Sequence, residues 1–238
     1  METSRKQLHV VAFGAHPVDM EIACGATLAK FVKMGHKATL VHLTLGERGN
    51  PNLSMAKYAE QKKVEVREAA EVLGCDVRVF PYHDAELPVN DEVQFMVCDT
   101  IRELKPDIVI THWEGSFHRD HLATNINVIR GVSWAGLSSM ERKLLAHKVG
   151  QLYFTDNWED AEGFVPEIYV EISNVFDQWV EAITRHQLVR GGVSPFPYLE
   201  YYKALATIRG AEVRIPKAEA FMRRPLSRRA LVDLLPNY

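Results

Sequence analysis

Residues 8–21 read LHVVAFGAHPVDME, and the way this stretch divides decides the fold. Its first half, Leu8–Gly14, is nearly all apolar and is bounded by turn residues, which predicts a buried strand. Its second half places His16, Asp19 and Glu21 directly after that strand. Further along, helical spacing over Ala23–Met34 stops at Gly35, and Lys37–Leu43 forms a second strand pattern. A long amphipathic helix is expected over Lys57–Leu73, ending at Gly74. A strand over Asp76–Phe80, a helix over Asp91–Leu104 and a strand over Asp107–Thr111 follow. Strand–helix repetition with short connections predicts an α/β fold with a mostly parallel sheet and helices on both faces. The pattern loosens after about residue 145. Strands over Gly150–Thr155 and Glu167–Ile172, a helix over Val175–Leu188 and a last helix near Leu199–Arg209 are expected there. No repeat or flexible linker interrupts the chain, so a single Rossmann-like domain over residues 1–238 is the expected organisation.

Composition narrows the function classes. The chain is 47% hydrophobic and 25% charged, the balance of a soluble globular protein. A formal net charge of -3 argues against nucleic acid as the main partner. No apolar run approaches the ~18 residues of a membrane span. The N-terminal METSRKQLHVVAFGAHP runs straight into a strand pattern, so no cleaved export signal is expected. Cys24, Cys75 and Cys98 are odd in number and widely spaced, which suggests no disulfide framework and a reducing, cytoplasmic compartment. Apolar and aromatic C-terminal segments suggest a homo-oligomer. Arg223, Arg224, Arg228 and Arg229 form a basic cluster, read either as a solvated or subunit-facing tail or as an anion site.

In open parallel sheets, ligands bind outside the carboxyl ends of the strands. Three loops fall on that edge. AHPVDME carries His16, Asp19 and Glu21. TLGERGNP carries Glu47 and Arg48. THWEGSFHRDH carries His112, Glu114, His118, Asp120 and His121. His16 and Asp19, three apart, can both point inward from one turn entering a helix, and His121 is the third candidate metal ligand. A catalytic Zn2+ typically takes three such ligands and leaves one position open for water. His9, His36, His42, His83 and His147 have no such company and are expected to be structural or exposed.

At these residues the chain resembles the LmbE-like, PIG-L-type family of zinc-dependent N-acetylglucosaminyl deacetylases. The family pattern is A-H-P-D-D-x-E, then a T-x-G-E-x-G-like turn, then H-x-D-H. This chain has AHPVDME, TLGERG and HRDH in the same order, and RGAEVRIPKAEAF looks like the family's closing segment. The resemblance implies that His16, Asp19 and His121 bind zinc. It further implies that His118 donates to the developing oxyanion or the leaving group, with Asp120 orienting its imidazole. Arg48, just after Glu47, is placed similarly to a substrate-binding position; the alternative for both is a polar turn held by its glycines.

One departure falls on a consequential position. Val18 stands where the family pattern has the Asp usually assigned as general base. A positioned base typically contributes ~10²–10⁴ in rate. Glu114, Glu21 and Asp120 are candidate replacements, Glu114 foremost because it lies on the active-site loop. Restoring the carboxylate with Val18→Asp is expected to raise amide hydrolysis if the framework is otherwise intact. Ser116 and Arg119 also depart from residues common in the family. Trp113 is either an aromatic wall for stacking on a sugar or a buried structural residue. NWEDAEGF (Asn157–Phe164) either borders the pocket or is an exposed turn.

The leading expectation is a zinc-dependent deacetylase acting on the N-acetyl group of an amino sugar or sugar conjugate. The alternative is a zinc-dependent hydratase or lyase of the 4-oxalomesaconate hydratase type, whose first motif also looks to lack the paired Asp. A non-catalytic metal- or sugar-binding homologue is the third.

Overall fold

The computed structural model describes residues 6–223. Arg224, Arg228 and Arg229 of the basic cluster lie outside them. The elements run β1 (His9–Gly14), α1 (Asp19–Lys33), β2 (Lys37–Thr44), α2 (Met55–Leu73), β3 (Asp76–Tyr82), α3 (Asp91–Leu104) and β4 (Ile108–Thr111). They continue with α4 (Arg119–Ala135), β5 (Gln151–Thr155), β6 (Ile168–Glu171), α5 (Phe176–Ile183), α6 (Gln187–Arg190), α7 (Tyr198–Glu212) and β7 (Ala218–Arg223). Seven strands form one sheet in the order β3-β2-β1-β4-β5-β7-β6. The pairings among β1 to β5 are parallel; β7 runs antiparallel to both β5 and β6. This is the α/β architecture expected from the alternation of elements.

Both faces of the sheet are covered, which is why β1 reads as an unbroken apolar run. Val10 and Ala12 join α1, α2, α5 and α7 in one apolar cluster. Val11 and Phe13 join α3 and α4 in the other. The strand order reverses between β1 and β4, so their carboxyl ends leave a crevice for the loops that follow them.

Three elements depart from the spacing. Helix α1 begins at Asp19 rather than Ala23, so the loop motif is itself the first helical turn. Helix α4 begins inside the third loop, where the β-branched and Asn residues of the following LATNINVIRGV lower intrinsic helix propensity. The helix expected over Val175–Leu188 breaks before His186, whose ring turns into the interior towards Glu21 and Glu65. Strand β7 also places the buried Glu219 under the middle of α1. Its carboxylate accepts the amides of Ala26 at 3.0 Å and Thr27 at 2.7 Å.

Candidate metal centre and adjoining cavity

The loop after β1 is held from several sides. The Asp19 carboxylate accepts the amide of His16 at 2.7 Å, and Glu21 Oε2 accepts the amide of Val18 at 3.1 Å. Between them Val18 adopts φ +96°, a left-handed conformation that is unusual for a β-branched residue. Its side chain is buried in the apolar cluster around α1. Gly46, at φ +63°, brings the second loop against His16; a Cβ there would meet the His16 Cβ at 3.3 Å.

Asp19 Oδ2 lies 3.2 Å from His16 Nδ1, 3.2 Å from His112 Nε2 and 3.4 Å from His121 Nε2. Glu159 Oε2 approaches the same His121 nitrogen at 3.5 Å. Asp160 accepts from Nδ1 of both His112 and His121, each at 2.8 Å. That donation leaves His121 Nε2 directed at two carboxylate oxygens, buried and without a hydrogen-bond partner among the described residues. A lone pair facing two carboxylates is stable only with a cation between them, either a proton on the ring or a metal. Burial opposes charging His121, but Asp19 and Asp160 outweigh it and hold its pKa at about 9. Burial likewise opposes charging His16, yet Asp19, Asp120 and Asp84 keep its pKa well above the ordinary value. Imidazoles and carboxylates in this arrangement are a donor set suited to a divalent cation such as zinc.

Among the described residues, three groups bring one ligand atom each within 4.8 Å of the others: His16–His118–His121, Asp19–His112–His121 and His16–Asp84–Asp120. No one of these groups holds His16, Asp19 and His121 together; Asp19 Oδ2 alone lies close to a nitrogen of each of the two histidines, and His112 shares its group. His118 is the N-cap of α4, where its Nδ1 accepts the Asp120 amide at 3.2 Å. This assigns the ring proton to Nε2. Burial, reinforced by the charges of His16 and His121, pushes the His118 pKa down to about 4, so the ring is a neutral donor. The Asp120 carboxylate does not bond to that ring. Its Oδ2 accepts the Ala85 amide at 2.6 Å and approaches His16 Nε2 at 3.3 Å.

The remaining sequence candidates lie elsewhere. Glu114 is exposed and does not line the cavity beside His16 and Asp19. Trp113 is buried, donates from Nε1 to the Glu162 carbonyl at 2.8 Å and packs on Phe154. Glu47 is buried and accepts the Asp84 amide at 3.2 Å, while the exposed Arg48 pairs with Glu86 and donates its amide to Asp84 at 2.9 Å. The second loop therefore holds Asp84, whose Oδ1 lies 3.2 Å from His16 Nε2.

A cavity of about 200 Å³ adjoins these histidines and carboxylates. His16, Asp19, Asp84, His118 and Glu159 line one part of it; Tyr58, Lys62, Leu188, Ser194 and Tyr198 line another. Sequence reasoning missed Lys62, Asp84 and the specific roles of Glu159 and Asp160. A signal for Lys62 exists: Tyr58, Lys62, Glu65, Val66 and Ala69 form the buried stripe of α2, and two charges on such a stripe are unusual.

The model of the GlcNAc-PI de-N-acetylase (PIG-L) family matches residues 11–130. The chain belongs to the PIG-L family. Among similar proteins, a 4-oxalmesaconate hydratase from Pseudomonas putida is 26% identical, with 90% of this chain and 83% of that protein covered. A 1D-myo-inositol 2-acetamido-2-deoxy-alpha-D-glucopyranoside deacetylase from Geodermatophilus obscurus is 34% identical, with 57% of this chain and 55% of that protein covered. Among solved structures, GalB, the 4-carboxy-2-hydroxymuconate hydratase of Pseudomonas putida, has a TM-score of 0.85 at 20% identity, covering 96% and 100% of the two chains. The fold is thus shared with that structure. Membership and the His/Asp clusters together identify a metal-associated enzyme of a superfamily that contains both deacetylases and hydratases. No helix among the described residues is long and apolar enough to cross a membrane.

Proposed function

We propose that the protein is a metal-dependent hydratase that adds water across the carbon–carbon double bond of a small unsaturated oxo-polycarboxylate, or catalyses the reverse elimination. The observation that carries this reading is Val18. Not only does it lack a carboxylate, but its side chain lies in the core rather than on the cavity wall. Amide hydrolysis thereby loses the group expected to take a proton from water. The extent of the hydratase relative's match, across most of both chains, supports the same choice.

The cavity's chemistry agrees. Lys62 is the one Lys or Arg among its lining residues, and Tyr58, Ser194 and Tyr198 add hydroxyl donors. The N-termini of α1 and α4 meet at the site, and the positive ends of the two helix dipoles favour negative charge there. A volume of about 200 Å³ is below the ~300–1,000 Å³ typical of sites for drug-sized ligands and suits a compact acid better than a sugar conjugate.

We assign His16, Asp19 and His121 as the metal ligands and zinc as the metal. When bound, such an ion supplies Lewis acidity for activating water and polarising a carbonyl oxygen. The chain's own residues do the rest. Asp160 fixes the tautomer of His121 and turns Nε2 inward. His118 donates from Nε2 to the substrate oxygen that gains charge. Lys62 attracts a substrate carboxylate. Because residues after Gln151 supply Glu159 and Asp160 to a centre built by the first two-thirds, we treat the chain as one catalytic domain.

The test presents zinc-loaded protein with conjugated oxo-polycarboxylates and, separately, with N-acetylated amino sugars. Loss of the conjugated absorbance without amine release is expected. Amine release from the sugars with unchanged absorbance of the acids would restore the deacetylase reading.

A further inference from the structure

Lys62 raises a question that attraction of a carboxylate does not answer. It sits mid-way along α2, is only 2% exposed, and its Nζ has no hydrogen-bond partner among the described residues. The nearest carboxylate oxygen, Glu65 Oε2, is 3.5 Å away. Glu65 is pinned on its other oxygen, where Oε1 accepts Gln61 Nε2 at 2.7 Å and the Gln187 amide at 3.1 Å. His186 Nδ1 stands 3.6 Å from Glu65 Oε2, and His186 Nε2 stands 3.4 Å from Glu21 Oε1. A buried ammonium, ion-paired with Glu65 but without a hydrogen-bond partner among the described residues, therefore belongs to a residue that lines the cavity.

We propose that Lys62 is the proton donor of the hydration, delivering a proton from Nζ to the substrate carbon adjacent to the one that receives the hydroxyl. This rests on the hydratase reading and deepens it. In the balanced step, water forms a C–O bond to the electron-poor alkene carbon and its released proton leaves to solvent. The alkene π pair moves to the neighbouring carbon, where it forms a C–H bond with the proton from Nζ. Lys62, left as a neutral amine, regains a proton from solvent as product departs. Water has then been added with no oxidant or reductant.

Proton transfer requires an amine that gives up its charge more readily than a surface lysine. Burial lowers the Lys62 pKa, and the carboxylates facing it only partly offset this: Glu65 from α2, then Glu21 and Asp19 from α1. Tyr58 faces it from α2, with Nζ 5.1 Å from the ring centroid. His186 lies beyond Glu65.

Arginine is the discriminating substitution, because it keeps the charge but does not release a proton at working pH. In Lys62→Arg, kcat for a conjugated oxo-polycarboxylate should fall at least ~100-fold, as for loss of a general acid, with KM within about threefold. The alkaline limb of the kcat profile should vanish with it. Turnover of Lys62→Arg within fivefold of wild type, with that limb intact, would reduce Lys62 to a charge and overturn the proposal. To separate catalysis from misfolding, Lys62→Cys treated with 2-bromoethylamine regains an ammonium and should regain turnover; no recovery in a protein that melts like wild type counts against it. A substrate-free measurement separates this inference from the hydratase reading. After reductive ¹³C-methylation, the NMR resonance missing from Lys62→Arg should titrate below the ordinary lysine value of ~10.4. If wild type hydrates none of the acids, the hydratase reading fails. If the Lys62 resonance titrates at the ordinary value, the proton-donor role fails whatever the substrate.

Discussion

Residues 11–130 and the stretch from Gln151 onward build the same centre by different routes. The first region presents His16, Asp19, His118 and His121 on loops at the carboxyl ends of β1 and β4, where strand order reverses. Its chemistry is local, in motifs a few residues long on one sheet edge. The second region contributes through distance. Asp160 reaches His112 and His121 across 48 and 39 residues, and His186 reaches Glu21 across most of the chain. The first region supplies the histidines and Asp19, and the second sets the tautomers of His112 and His121 and the charge around them. A family match confined to residues 11–130 covers the donors but not what aims them.

The largest effect that would sharpen this contrast is expected at Asp160. Asp160→Ala leaves two buried imidazole N–H groups without an acceptor and frees His121 to rotate. Outer-shell losses of this kind typically cost ~10–100-fold in metal affinity. Competition against a fluorescent chelator measures it; affinity within twofold of wild type would show that the second region does not aim the ligand.

Val18 provides the next test, within the first region. Because its side chain faces the core, Val18→Asp buries a carboxylate among apolar groups and should cost about 3 kcal/mol or more of stability. Gain of amide hydrolysis, the expectation from the motif alone, is not expected from this geometry. Urea denaturation and an amine-release assay check both parts. A stable variant with raised deacetylation would mean that residue 18 turns into the cavity.

Glu219, from the second region, links stability to pH through α1. Burial raises its pKa to about 7, although the Thr27 and Ala26 amides pull it down. A pKa raised on folding means that the folded state holds the proton more tightly. The contribution is therefore fully present below the unfolded value near 4.5 and is lost as pH rises through about 7. Its full range is about 3 kcal/mol. Glu219→Gln, less stable at acid pH for want of one acceptor, should close part of the gap to wild type between pH 5 and 8. A gap constant across that range would remove Glu219 as the titrating group.

The smallest effect is expected at Glu114, the sequence's foremost candidate for a replacement base. Its carboxylate is exposed and off the cavity, so Glu114→Gln should leave kcat within about twofold. A larger drop would bring that loop into the site.

These cases show what the sequence makes legible. The order of strands and helices through β4 follows from apolar periodicity, because each strand is covered on both faces. His16, Asp19 and His121 follow from placement after strands. The direction of Val18 does not, since the motif records which residue is present and not that φ turns it into the core. Nor does Asp160: NWEDAEGF offers three acids, and only the fold brings one of them under two imidazoles. Lys62 was detectable in principle as a charge on the buried stripe of α2, but its position at the cavity depends on how α2 crosses the sheet.

The central claim is that one divalent cation sits between His16, Asp19 and His121 Nε2. Calorimetric titration of metal-stripped protein with zinc tests it most directly, comparing wild type with Asp19→Ala and His121→Ala. One strong site in wild type that disappears in both variants is the expected result; binding undiminished in either variant would contradict it.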